Sequence, residues 1–166
     1  MKKTLLILWL FTLAILLWQG IEAYPKLPDP MPCSFESSGE PRDFTPKRNF
    51  FVLWSMVIIT MNVIVMIVPW LGRIKPTLVN VPNKEYWLST PERKSRFVDR
   101  LTVFALTLGI LLNGLFILIF ETIASAGTAG RSSVPAALFW IMVGLLCVVP
   151  LVAMLTIFRV PVGNDA

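Results

Sequence analysis

NFFVLWSMVIITMNVIVMIVPWLG, Asn49 to Gly72, runs for 24 residues without a charged side chain. A helix rises about 1.5 Å per residue, so about 20 apolar residues cross the roughly 30 Å of hydrocarbon in a bilayer. This stretch is long enough to span. Three further charge-free windows flank it: Thr4–Ile21, Leu101–Phe120 and Ser132–Phe158. The last two meet the same length. The first reaches it only with Gln19 and Gly20 in the headgroup layer. The chain is 55% hydrophobic with a mean hydropathy of +0.71, above the 45–50% typical of soluble domains. The pattern predicts an all-α membrane protein with four transmembrane helices.

Basic residues fix the expected orientation. With four spans, one side holds ten Lys and Arg, from Lys2 and Lys3 through the Gly72–Arg100 connection to Arg159. The other side holds five: Lys26, Arg42, Lys47, Arg48 and Arg131. The richer side is expected to be cytoplasmic, with both termini inside. Trp18, Tyr24, Trp70, Tyr86 and Trp87 fall near span ends, where amphipathic rings favour the headgroup level. A rival reading of the first window is a signal peptide, from Lys2-Lys3, the apolar run and Gly20-Ile21-Glu22-Ala23. Cleavage there would leave three spans.

Composition narrows the chemistry. The net charge is +5, but the basic residues cluster at membrane edges and form no domain with a nucleic-acid-reading element. There is no histidine to serve as a base near neutral pH. Cys33 lies in the loop after the first span and Cys147 deep in the fourth, which predicts neither a disulfide nor a zinc site. No phosphate loop, nucleophile elbow or zinc helix appears. The expectation is a protein without catalytic activity, cofactor or metal. The spans also lack the intramembrane charge that proton and ion relays often use.

Two amides lie deep in the apolar windows. Measured from Phe50 and Phe120 as outer ends, Asn62 and Asn113 lie about 18 Å and about 10 Å down. That offset argues against a direct bond and for separate packing contacts with neighbouring helices. Gly109 and Gly144 would permit close helix approach. Pro150 would kink or loosen the fourth span. Met56, Met61 and Met66, five apart, share no face and are read as filler.

The connections differ in character. Ile123–Val134 is small and polar, a flexible connector. In the inner connection, Thr90 can cap a helix that starts at Pro91-Glu92. Arg93, Lys94, Arg96 and Arg100, with Phe97, Leu101 and Phe104, make a basic amphipathic turn at the membrane surface. Between the first two spans lies LPDPMPCSFESSGEPRDFTPK, Leu27 to Lys47, with five of the chain's thirteen prolines and no hydrophobic period. It is expected to be neither helix nor sheet but a shaped, proline-rich outer loop. Leu27, Met31 and Phe35 would dip onto helix ends, Gly39 would hold a turn, and Glu36, Glu40, Arg42 and Lys47 would stay in water.

Within that loop, Leu27-Pro28, Pro32, Phe35, Gly39, Pro41 and Lys47 resemble the hallmark LPxxVPxHFxxxGxPDxxxxK. It marks a bacterial membrane domain family of unknown function, also found at the N-terminus of SdpI-type immunity proteins. The likeness covers about Leu5 to Leu71. Asn80, Pro82, Asn83, Tyr86 and Trp87 resemble an NxPNxxYW segment that follows the domain in short family members. Two positions depart: Ser34 stands where the family has histidine, and Arg42 where an acid is usual, with Asp43 one place later. The resemblance implies a family-like domain over 1–71, a basic cytoplasmic loop with an interfacial helix over 72–100, and a helix pair over 101–166. It implies residence in the bacterial cytoplasmic membrane. The expected role is binding or sensing at the outer face, as an immunity-like or signalling component. The alternative is an accessory subunit of a transporter or channel. Expected partners are the bilayer and a membrane protein or extracytoplasmic peptide.

Overall fold

The computed structural model describes residues 2–36, 41–129 and 136–160. Its elements in chain order are α1 (Lys2–Ala23), β1 (Met31–Phe35), β2 (Pro41–Thr45), α2 (Lys47–Ile74), a 3-10 turn (Pro76–Leu78), α3 (Lys84–Leu88), α4 (Pro91–Ala129) and α5 (Ala136–Ile157). Among the described residues, α1, α2, α4 and α5 are long and apolar enough to cross a membrane. This is the build of a multi-pass membrane protein.

The long α4 is the axis. It packs against α1, α2, α3, α5 and β1, while α1 and α2 barely touch each other. Three buried clusters are strung along it. Leu27, Met31, Phe50 and Phe120 close the end that carries the β-ribbon. Trp9, Val65, Ala105 and Leu106 fill the middle. Trp87, Phe97, Val98, Leu101 and Phe158 close the opposite end. Much of the remaining apolar surface is exposed, including Leu53, Ile59, Trp140 and Leu151. In hydrocarbon this carries no penalty, because lipid tails are as apolar as leucine.

α4 starts where its sequence signals place it. The Thr90 hydroxyl accepts the Arg93 backbone N–H at 3.2 Å, and proline occupies the first helical position. Its other end differs from expectation. The helix continues through Glu121 to Ala129, so Ile123–Ala129 is helix, not connector. Residues 130–135 lie outside the description. One carboxylate at the end of an apolar window does not stop a helix, since backbone hydrogen bonding continues through it.

Four other expectations are corrected. The segment after α1 is partly sheet: β1 and β2 pair antiparallel, Met31 with Thr45 and Pro32 with Phe44, with irregular register on either side of Ser34. Prolines suit such a short two-stranded ribbon because every strand in it is an edge. The apolar face of the basic turn at the start of α4 is turned into the protein rather than left free. Phe97 and Leu101 are buried, and Phe104 packs beside them against Phe158. Met56, Met61 and Met66 are exposed on the outside of α2 rather than filling the core. A Cβ added to Gly144 would meet nothing, so that glycine makes no close approach, whereas Gly109 does. Apart from these four, Pro150 lies inside α5, as the fourth window predicts.

Candidate functional site: the ribbon end and two polar clasps

The ribbon is seated firmly. Met31 is fully buried and Leu27 nearly so, against Phe50 and Phe120. An aromatic cluster backs them: Phe50 stacks on Trp54 at 6.0 Å, and Trp54 meets Phe116 edge-on at 5.5 Å. Gly127 of α4 lies 3.5 Å, by its notional Cβ, from both Leu27 and Pro32. The apolar anchors of the loop therefore dock as their spacing predicts for Leu27 and Met31. The side chains of Cys33, Phe35 and Pro41 and the whole of Gly39 lie outside the described residues.

Lys47 is not a solvated charge. Its Nζ donates to the Leu27 carbonyl at 3.1 Å and sits 4.9 Å from the centre of the Tyr24 ring. Its backbone N–H donates to Asp29 Oδ1 at 3.0 Å. The first residue of α2 thus straps the segment that leaves α1. Both ends of the family-like motif, Leu27 and Lys47, meet in this strap, with Pro28 between them and α4. Ser34, the residue in place of the family histidine, meets the acid that stands one place after Arg42. The Ser34 hydroxyl donates to Asp43 Oδ2 at 2.5 Å across the ribbon.

The exposed side of the ribbon carries Phe44, Arg42, Asp43 and Glu36. Beside it, between α1 and α4, is a cleft of about 290 Å³ lined by Gln19, Glu22, Lys26, Glu121, Ser125 and Thr128. Glu22 is paired with Lys26 at 2.7 Å. Gln19 Oε1 is buried without a hydrogen-bond partner among the described residues. The cleft presents acceptors, so chemically it suits a ligand that brings N–H or O–H donors.

Halfway along the bundle, Asn62 and Asn113 face each other, contrary to the depth estimate. Asn62 Nδ2 donates to Asn113 Oδ1 at 3.0 Å, and Asn113 Nδ2 donates back to Asn62 Oδ1 at 3.2 Å. Asn113 Nδ2 also reaches Thr12 Oγ1 at 3.2 Å, and Asn62 bonds the Ile58 carbonyl at 2.9 Å. The estimate took Phe120 as a helix end, and α4 continues past it. Val65 touching Gly109 and Gly72 touching Leu101 set a register that places Phe50 level with Ala124. Side chains also lean toward their own helix N-terminus, which in antiparallel α2 and α4 brings the two amides together. One network thus ties α1, α2 and α4. We expect Asn62→Ala and Asn113→Ala each to lower stability in detergent by about 0.6–2 kcal/mol. The double variant should lose less than the two combined, because each single change strands its partner. Strict additivity in chemical unfolding would show that the pair is not coupled.

The second motif-like segment forms the other clasp. Asn83 adopts a left-handed conformation, φ 57°, before α3. Asparagine tolerates this better than most residues. This turn aims Asn83 Nδ2 at the Phe158 carbonyl, 3.2 Å away, and Trp87 Nε1 donates to the same oxygen at 3.1 Å. Arg100 lies 4.4 Å over the Trp87 ring and donates to the Ile157 carbonyl. The last carbonyls of a helix have no partner within it, and here three side chains supply donors at the end of α5. Arg93 covers the Tyr86 ring at 4.2 Å. Asn80 precedes this turn, and Pro82 lies in it beside Asn83.

Sequence reasoning missed the Lys47 strap, the Trp9 notch at Gly109 and the Phe158 clasp. The strap has no local signal, and for the notch Gly109 itself was the signal but not its partner Trp9. The third had one, since Asn83 before a short aromatic helix suits a turn that presents Trp87. No family model, no curated protein and no solved structure matches this chain.

Proposed function

We propose that this protein is a non-catalytic membrane component that binds an extracytoplasmic peptide at the ribbon end, as an immunity-like or signalling element. The observation that carries this reading is the fixed ribbon itself. A loop serving only as a tether has no need of Met31 at full burial or of the Lys47 strap. Yet the ribbon leaves Phe44 58% exposed, next to charged side chains and the acceptor-lined cleft. An aromatic anchor beside hydrogen-bonding groups is the usual makeup of a peptide-binding surface. The basic-residue asymmetry supports an outer position for this end. Among the described residues no group of three or more His, Cys, Asp or Glu side chains is placed to hold a metal ion.

Photo-crosslinking tests the reading. A benzophenone amino acid at Phe44 or Thr128 should trap a secreted peptide from growth medium on intact cells, and the same probe at Trp140 should not. Adducts only with another integral membrane protein would favour the accessory-subunit reading instead. No adduct at Phe44 or Thr128 would remove the ribbon end as the binding surface.

The strap makes a separate prediction. Lys47→Met removes a charge-assisted hydrogen bond in a half-buried site, worth about 1 kcal/mol. Trypsin added to the ribbon side should then cut after Arg42 and Arg48 roughly fivefold faster, through local opening. Equal cleavage rates would show that the strap does not hold the ribbon.

A further inference from the structure

At the end of the bundle opposite the ribbon, residues of α1, α2 and α4 line an open groove. Its volume is about 590 Å³. Leu6, Val65, Met66, Ile67 and Leu106 make its apolar wall and floor, and Lys2, Lys3 and Arg73 stand at its mouth. Lys2 is occupied by Asp99 at 2.6 Å. Neither Lys3 nor Arg73 has a side-chain ion-pair partner among the described residues, and both are exposed. Trp70 lines the same mouth, 56% exposed, as aromatic residues do at the headgroup level.

We infer that this groove holds an anionic glycerophospholipid, its acyl chain between α1 and α2 and its phosphate against Lys3 and Arg73. The two halves of the groove make a complementary pair. From Val65 to Arg73 the groove runs about 12 Å along α2 at 1.5 Å per residue, and its depth is apolar while its rim is cationic. A soluble phosphate would have no use for the apolar part, and a neutral lipid none for the unpaired cations. Arg73 is suited to phosphate because its guanidinium offers paired donors in a planar fork. Lys3, one helical residue beyond the Lys2–Asp99 pair, supplies the second charge from the other wall. The Lys2–Asp99 pair joins α1 to α4 at the mouth and keeps Asp99 from opposing the bound phosphate. The inference needs no assignment of which side of the membrane this end faces, and it does not rest on the peptide-binding proposal.

The test uses the full-length protein in neutral detergent, with lipid adducts counted by native mass spectrometry. Phosphatidylglycerol should bind about tenfold more tightly than phosphatidylcholine of the same chains. Lys3→Gln combined with Arg73→Gln should abolish that preference, weakening phosphatidylglycerol far more than phosphatidylcholine, whose phosphate is already offset by its own choline. These are exposed side chains, so the bundle should stay folded, as circular dichroism would verify. Leu6→Trp, which fills the groove but keeps every cation, should weaken both lipids. Lys94→Gln with Arg96→Gln, two charges at the same end but outside the groove, should change nothing. The inference is overturned if this control pair reduces the preference as much as the groove pair. It is equally overturned if Leu6→Trp has no effect, or if glycerol phosphate displaces the lipid at equal concentration.

Discussion

Trp87→Ala is expected to destabilise the bundle by about 3–5 kcal/mol, the range for removing a large buried aromatic side chain. Trp87 is 2% exposed and lies in the cluster of Phe97, Val98, Leu101 and Phe158. It joins the α3 turn, α4 and the end of α5. Its loss empties that junction and also strips the Phe158 carbonyl of one of its two donors. Arg100 loses the ring beneath its guanidinium, an interaction of about 0.5–2 kcal/mol. The contributions separate by substitution. Trp87→Phe retains most of the volume and should cost only about 0.5–1.5 kcal/mol beyond the small cavity, for the lost hydrogen bond. Unfolding in detergent, followed by near-UV circular dichroism, would rank the two variants. If Trp87→Ala falls within about 1 kcal/mol of wild type, the junction collapses around the missing ring. The α3 turn would then not be what holds α5. A second readout is the thiol reactivity of a cysteine introduced at Met154, which packs against this cluster; it should rise in Trp87→Ala and stay low in Trp87→Phe.

Gly109→Ala should have the next largest effect. A Cβ at this position would lie 2.8 Å from Trp9 Cδ1, 2.9 Å from Trp9 Nε1 and 3.0 Å from Val65 Cγ1. The indole is rigid, and Trp9 is only 7% exposed, so it has little room to turn away. Overpacking of this kind costs about 1–3 kcal/mol. Gly109→Leu should exceed that range and push α1 off α4, taking Thr12 out of reach of Asn113. By contrast Gly114→Ala meets only the flexible end of Met142, at 3.1 Å, and should be nearly neutral. The diagnostic is rescue. Trp9→Leu should restore much of the stability of Gly109→Ala, because it removes the atoms that clash. Failure of rescue would mean that α1 is held elsewhere, through the Asn113–Thr12 contact and the Lys2–Asp99 pair. Trp9 has a further peculiarity. Its buried indole N–H has no hydrogen-bond partner among the described residues, and an unmade bond of that kind costs about 1–3 kcal/mol. The packing of the ring into the Gly109 notch offsets it.

Sequence alone determined the four long apolar helices, the Thr90–Pro91 start of α4 and the docking of Leu27 and Met31. These follow from local rules. A charge-free run of sufficient length has few alternatives in hydrocarbon, where each backbone polar group must be bonded within its own segment. A hydroxyl before proline caps a helix without help from distant residues. The ends of elements were less legible, because Glu121 does not break the hydrogen-bonded ladder of α4. The resemblance in the ribbon segment drew attention to Leu27 and Lys47 without indicating that they touch. Tertiary structure alone decided which polar groups meet. Asn62 and Asn113 are 51 positions apart and Trp87 and Phe158 are 71 apart. Whether such pairs close depends on how far two helices slide along each other. That offset is set by packing along the whole length of α4, at Gly72 on Leu101 and Gly109 on Trp9, and no single window of sequence contains both halves of those contacts.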